Sequence, residues 1–466
     1  MQTHRSDWVD EREQAHLNLT PHFPVHTIYA LFFPGHFMSG DIMSALSLRF
    51  SRFVIYWFLI ILCPVSGSVY LMAQVDQKLA AGYFNEVEAL CQKDAGRLWG
   101  ISLFGPLAVA DRKTDTIATN QPAPDAPKPR LVGIVNAPVK WGDERWTTVV
   151  WSMISQDKPG RRARLFIHEL FHRVQDQELG LLIKSIPGHN VHMDTMEGRF
   201  WLQLEWRALA KAVSETGDAH RQALADALAF RDHRRQMFPG ADAKERALEI
   251  NEGLAQYTGT VLAFSSRQEM VDDILFQLED YLKYPSLVKL FAYPLGSAYG
   301  FMLDSYAPGW THRIKITDDL GLLVREAAKI EPSDPLTALS RYDGETLRAA
   351  EELREKKRLE HIAHMRSVFL ESPVLTLPRG RQASHYTPGM TPLDEHGIVH
   401  QKYKTSGPWG QLEGEWVLVS KDGRRLTVPA PNQTKGKNLS GKDWTLTLSP
   451  GWRIESRNDN FEVVSE

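Results

Sequence analysis

The stretch Ile167-His168-Glu169-Leu170-Phe171-His172-Arg173 carries two imidazoles four residues apart, with a carboxylate next to the first. Residues at that spacing share one face of an α-helix, so His168 and His172 can converge on a single ion while Glu169 stands beside it. Neutral imidazole is a good zinc ligand, and a neighbouring carboxylate can take a proton from a zinc-bound water that attacks a carbonyl. The spacing therefore predicts metal-assisted hydrolysis. With 17 His in 466 residues, chance alone seldom produces this H-E-x-x-H pattern. Its surroundings favour a helix, since Leu165, Ile167, Leu170, Phe171 and Val174 recur at helical intervals across Arg161 to Val174.

Working outward toward the N-terminus, Val75 to Arg97 has the pattern of one helix. Strands are expected within Leu98 to Ala110, at Asp115 to Thr119 and at Leu131 to Asn136, with a proline-rich loop over 119–129. Arg145 to Met153 is a strand by its Thr, Val and Trp content. Within it, Trp146 to Ser152 is a candidate edge strand on which an extended substrate could pair its backbone, an internal sheet strand being the alternative. Toward the C-terminus the pattern turns helical: Met196 to Ser214, His220 to Met237, Ala243 to Leu262, a stretch through Leu282, Leu290 to Ser305, and Glu345 to Leu370. Past Pro373 short alternating runs such as Glu415 to Val419 and Trp444 to Leu448 are separated by Asp422-Gly423 and Pro450-Gly451 turns, which predicts a small all-β domain over 371–466. An accessory role is the default for that domain, with carbohydrate binding through its Trp side chains as the alternative.

A net charge of −3 offers no basic excess to neutralise phosphates, so nucleic acid is not expected as a partner. The two cysteines, Cys63 and Cys91, imply no disulfide framework. The apolar run FVIYWFLIIL at 53–62 follows Arg49 and Arg52 and precedes small residues. That layout predicts a signal peptide or signal anchor over 43–74, with 53–73 as the membrane anchor in the second case, and a secreted or periplasmic protein. Residues 1–42 read as a tail, or as a start placed upstream of Met43.

A zinc site needs at least a third protein ligand. In Asn251-Glu252-Gly253-Leu254-Ala255 a glycine directly follows a carboxylate, which lets a second helix approach the ligand closely. Glu252 is the candidate, and Glu249, three residues earlier on the same face, is the alternative.

Three motifs in this order, H-E-L-F-H at 168–172, N-E-G-L-A at 251–255 and Tyr293-Pro294-Leu295-Gly296, resemble those of the gluzincin zinc metallopeptidases, of aminopeptidase-like or peptidase MA type. The resemblance implies Zn2+ held by His168, His172 and Glu252, with Glu169 as general base and Tyr293 donating to the oxyanion. Tyr299 and Tyr257 are alternative donors. It also implies a peptide or protein substrate and an α+β fold: a zincin-like catalytic domain over 75–370, with a small β-sheet and a mainly helical part, ahead of the all-β domain. Three departures qualify it. About eighty residues separate His172 from Glu252, where roughly eighteen are usual in the group, so helices must be inserted. Gln256 stands where thermolysin-like members have an Asp that orients a ligand His, so that support is expected from Asp176, Glu205 or Asp304. No G-x-M-E-N segment precedes the zinc motif, so aminopeptidase activity is not implied. The competing classes are a non-catalytic zincin-fold binding protein of the cell envelope and a zinc hydrolase of a non-peptide amide or ester.

Overall fold

A computed structural model describes residues 74–184, 189–379 and 390–466. The expected signal or anchor lies, apart from Gln74, outside the described residues, as does the tail before it. Among the described residues no helix is long and apolar enough to cross a membrane.

The fold is mixed α/β, with a small sheet, a helical part and a C-terminal all-β region. Helix α1 (Gln77–Asp94) starts where the Asp76 side chain accepts from the Lys78 and Leu79 amides, satisfying two of the free N–H groups of its first turn. Four strands follow: β1 (Leu107–Asp111), β2 (Thr116–Thr119), β3 (Ala137–Trp141) and β4 (Glu144–Val150), in the order β2-β1-β4-β3. β1 and β4 are parallel, and the other pairs are antiparallel. Strand β4 is therefore internal, and the expectation of a substrate-facing edge over Trp146 to Ser152 is corrected. Its backbone pairs β1 on one side and β3 on the other, and residues 151–153 leave the sheet as a 3-10 turn. The strand expected at Leu131 to Asn136 is a run of turns instead, and the chain becomes extended only at β3.

Alternation sets the two faces of this sheet. Leu107, Val109 and Val149 join the main core under the helices, while Ala108, Ala110 and Trp146 pack with Val132, Val139 and Trp141 on the other side. Helix α2 (Pro159–Gln175) begins with proline at its first position, where a missing N–H costs nothing, and lies against β3 and β4. Phe166, Ile167, Leu170, Phe171 and Val174 are fully buried, each contributing about 1.5–3 kcal/mol by its removal from water.

Between the H-E-L-F-H and N-E-G-L-A segments the chain forms the hairpin of α3 (Met196–Ser214) and α4 (Gly217–Met237). The chain then runs through α5 (Ala241–Leu248), a π-helical turn at Glu249–Gly253 and α6 (Leu254–Ala263), followed by α7 (Arg267–Asp280) and α8 (Ala292–Tyr306). After α9 (Leu320–Ala328) and the short α10 (Pro335–Ala338) comes the long α11 (Gly344–Leu370). Its last turns place Met365 and Phe369 against Leu393, Val399 and Leu418 of the β region.

The described residues of that region form nine strands: β5 (Val374–Pro378), β6 (Met390–Pro392), β7 (Gly397–Gly407), β8 (Gly410–Ser420), β9 (Arg425–Pro429), β10 (Asn438–Gly441), β11 (Trp444–Leu448), β12 (Trp452–Arg457) and β13 (Asn460–Ser465). They run in the order β10-β11-β8-β9-β5-β13-β12, with β7 also on β8 and β6 on β7. Trp409 and Trp444 are buried in its core and donate their indole N–H groups to the carbonyls of Pro378 and Pro429, so these rings are packing elements.

Candidate metal centre

His168 and His172 occupy adjacent turns of α2 and face α6 across a close helix contact. A side chain at Gly259 of α6 would collide with the Arg164 backbone, and one at Gly296 of α8 would collide with the backbone of Gly253. Glycine at 253, 259 and 296 thus lets α6 sit between α2 and α8 at near-backbone distance. The N-E-G-L-A and Y-P-L-G segments meet through Gly253 and Gly296, and this contact carries Glu252 and Tyr293 to the same place.

The ligand atoms of His168, His172 and Glu252 all lie within 4.8 Å of one another. The two Nε2 atoms are 3.0 Å apart, and Glu252 Oε2 is 3.6 Å from the first and 3.4 Å from the second. Each Nδ1 faces an amide oxygen: His168 that of Gln256 at 3.0 Å, His172 that of Gln175 at 2.8 Å. The orientation of both amides follows from what lies behind them. The Gln175 nitrogen donates to the carbonyls of Leu181, Ile250 and Asn251, none of which can donate in return. The Gln256 nitrogen donates to Gln277 Oε1, because the Gln277 nitrogen is held by Asp273, which in turn is gripped at both oxygens by Arg164. Both Nδ1 atoms are therefore N–H donors, and both Nε2 atoms point inward. Two inward lone pairs at 3.0 Å, with a carboxylate beside them, repel unless a proton or a metal cation stands between them. This donor set of two imidazoles and one carboxylate fits Zn2+.

The titration behaviour has the same origin. Burial holds His168 below the usual imidazole range. Burial also acts to lower His172, but the charge of Glu252 and its hydrogen bond outweigh it and push that ring up to about 9. The pair thus carries one proton, on His172. Glu252, despite its burial, is held well below the usual carboxylate range, chiefly by the His172 charge and the hydrogen bond from that ring. Glu169 lies beside them, buried, with one carboxylate oxygen lacking any hydrogen-bond partner. Burial pushes its carboxyl up to about 8, with the Glu252 charge adding to the effect.

Tyr293, in the first turn of α8, stacks on the His168 ring at 5.5 Å and 5° and gives its hydroxyl to Glu252. The other proposed donors are committed elsewhere: Tyr299 donates to Glu205 at 2.7 Å and Tyr257 to Asp304 at 2.6 Å. Glu249 does not join the triad. The π-helical turn shifts the register between positions 249 and 252, and Glu249 pairs with Arg231 at 2.5 Å, so the two do not share a face as expected. The supporting residues also differ from expectation. Asp176 pairs with Lys184, Glu205 with Arg231 and Arg234, and Asp304 with Tyr257 and Trp310. The His rings are instead oriented by Gln175 and Gln256. Gln175 is the third residue after His172 on the same helix, a spacing at which side chains meet, and that was the available signal. Asn251 was also missed: its amide clamps the Ile183 backbone at both N–H and C=O.

No family model, curated protein or solved structure matches this chain.

Proposed function

We propose that the chain is a zinc-dependent hydrolase of gluzincin type with a zincin-like catalytic part, acting on a peptide bond. The observation that carries this reading is the convergence of two oriented imidazole Nε2 atoms and the Glu252 carboxylate beside the partnerless carboxylate oxygen of Glu169. His168, His172 and Glu252 would hold the ion, and Gln256 and Gln175 would fix the rings' tautomers. Bound zinc would supply Lewis-acid polarisation of the scissile carbonyl and raise the acidity of the attacking water.

The remaining chemistry belongs to side chains. Glu169 takes the proton of the attacking water and returns it to the leaving amine, a task suited to a carboxylate whose proton affinity is above the ordinary. Burial, which excludes competing water, is what raises it. Tyr293 supplies a neutral O–H donor where negative charge develops on the carbonyl oxygen. The contact of Gly253 with Gly296 keeps that donor and the third ligand in register.

The test is Glu169→Gln assayed with zinc analysis and a mixed peptide library, alongside ester and non-peptide amide panels. Zinc retained in both proteins, with cleavage of peptides lowered about 100- to 10,000-fold in the variant, is the expected result. Cleavage confined to the ester or amide panel moves the substrate class. No turnover by the zinc-loaded wild type on any panel leaves a binding protein.

A further inference from the structure

Lys289 stands four residues before Tyr293, in the turn that leads into α8, where the Phe291 amide donates to the Leu287 carbonyl at 3.2 Å. That i to i+4 bond gives the turn helical character, so Lys289 and Tyr293 are neighbours along one face. Tyr293 stacks on a ligand ring, and the Lys289 ammonium lies within electrostatic reach of Glu252. The side chain is half-buried and makes no hydrogen bond or ion pair with any described residue. Glu252 itself serves two imidazoles and Tyr293.

A half-buried ammonium without a partner is costly, because burial removes its hydration and nothing replaces it. A divalent cation on the triad would cancel the Glu252 charge and leave the ammonium facing net positive charge. No described residue supplies the counter-charge, and a bound substrate can.

Resting on the metallohydrolase reading, we propose that Lys289 is a specificity-determining residue that pairs with an anionic group of the substrate, a carboxylate lying within a lysine's reach of the scissile carbonyl. That carboxylate is either the C-terminus of a peptide or an acidic side chain near the cleaved bond. The inference concerns binding and not a chemical step. Electrostatic pairing with one sign of substrate charge gives selectivity and faster encounter, both weakened by salt.

The test is calorimetric binding to the zinc-loaded chain of three peptide hydroxamates: hydroxamate-Leu-Ala with a free C-terminal carboxylate, its C-terminal amide, and hydroxamate-Leu-Glu amide. The expected result for wild type is that at least one acidic probe binds about tenfold more tightly than the neutral amide, the size of preference that one partly desolvated ion pair supplies. Preference for the first acid assigns the C-terminal carboxylate, and preference for the third assigns an acidic side chain. Lys289→Met should bring the ratio near one without weakening the neutral probe, Lys289→Arg should keep it, and Lys289→Glu should invert it. A ratio unchanged in Lys289→Met, or no acid preference in wild type, overturns the proposal while the metallohydrolase reading stands. Failure of all three hydroxamates to bind zinc-loaded wild type overturns both.

Discussion

Three carboxylates within eight residues of chain, Glu245, Glu249 and Glu252, have opposite surroundings. Glu245 pairs with Arg234 at 3.0 Å and Arg235 at 2.8 Å and takes a hydrogen bond from His192 at 2.8 Å. Glu249 pairs with Arg231, which also reaches Glu205 at 3.2 Å and Asp319 at 3.2 Å. This network is wholly inside the protein, and three arginines of α4 answer four carboxylates of α3, α5, the π turn and the α9 cap. Glu252, three residues past Glu249 in the π-helical turn, meets no arginine among the described residues. It meets two imidazole Nε2 atoms 3.0 Å apart, the His172 one protonated, beside the Glu169 carboxylate oxygen, which has no partner. Both regions are dense in buried charge, but among the described residues only the second gathers a donor set that could hold a metal ion. Charge compensation from within the chain marks a structural network, and convergent donors without it mark a site.

The largest effect expected concerns the compensated side. Arg234 is fully buried and binds both Glu205 and Glu245. Arg234→Met keeps much of its volume and removes its charge, leaving two buried carboxylates short of a cation. The expected loss is about 3–5 kcal/mol of stability, read by urea denaturation. A loss under about 1 kcal/mol would dissolve the distinction, because the network would then be no more committed than the site. A smaller effect belongs to the other side. Gln256→Leu removes the acceptor that fixes the His168 tautomer without touching a ligand, and zinc affinity should fall about 10- to 100-fold in a chelator competition. An unchanged affinity would mean that the ring needs no outside orientation.

The sequence was most legible where one short spacing carries the geometry. The pattern at 168–172 set both imidazoles on one face, and Gly253 announced a close helix contact, which proves to be with Gly296 of the Y-P-L-G segment. The helices at Gln77–Asp94 and Met196–Ser214 and the strand at Thr116–Thr119 also follow from periodicity and flanking turn residues. What stayed hidden depends on contacts distant in sequence. No local pattern shows that β4 is flanked on both sides, since sheet order is a matter of which strands meet. The register change at Glu249 arises from a π turn, which no local residue preference announces. Gln256 was set aside at the very position it fills, and Gln175 was overlooked, because an uncharged amide makes no claim in a search for carboxylates. The helix at Leu320–Ala328 was hidden by its shortness, although Asp319 caps it through the Leu322 amide at 3.0 Å.

A final effect is a slope in pH, and it separates the two regions without any mutation. His172 is raised to about 9 from an ordinary 6.5, so it carries a proton throughout that interval, whereas His168, lowered by burial, does not. Zinc must displace the one proton, and its apparent affinity should climb about tenfold, or about 1.4 kcal/mol, per pH unit from about pH 6.5 and level off near pH 9. Without zinc the sign is reversed. A His raised in the folded state stabilises fully below its unfolded value and loses that contribution as pH rises through the folded one, so stability should fall over the same interval. Glu169, raised from 4.5 to about 8, adds to the fall, because its protonated form is the one folding favours. Glu245 and Asp319 in the arginine network are held below the ordinary carboxylate range and stay charged throughout, so they contribute nothing to either slope. Glu252→Gln removes the charge that raises His172, and it should flatten the zinc-free stability profile while leaving the network intact. A stability profile as steep in that variant as in the wild type would place the proton elsewhere and remove the asymmetry between the two regions.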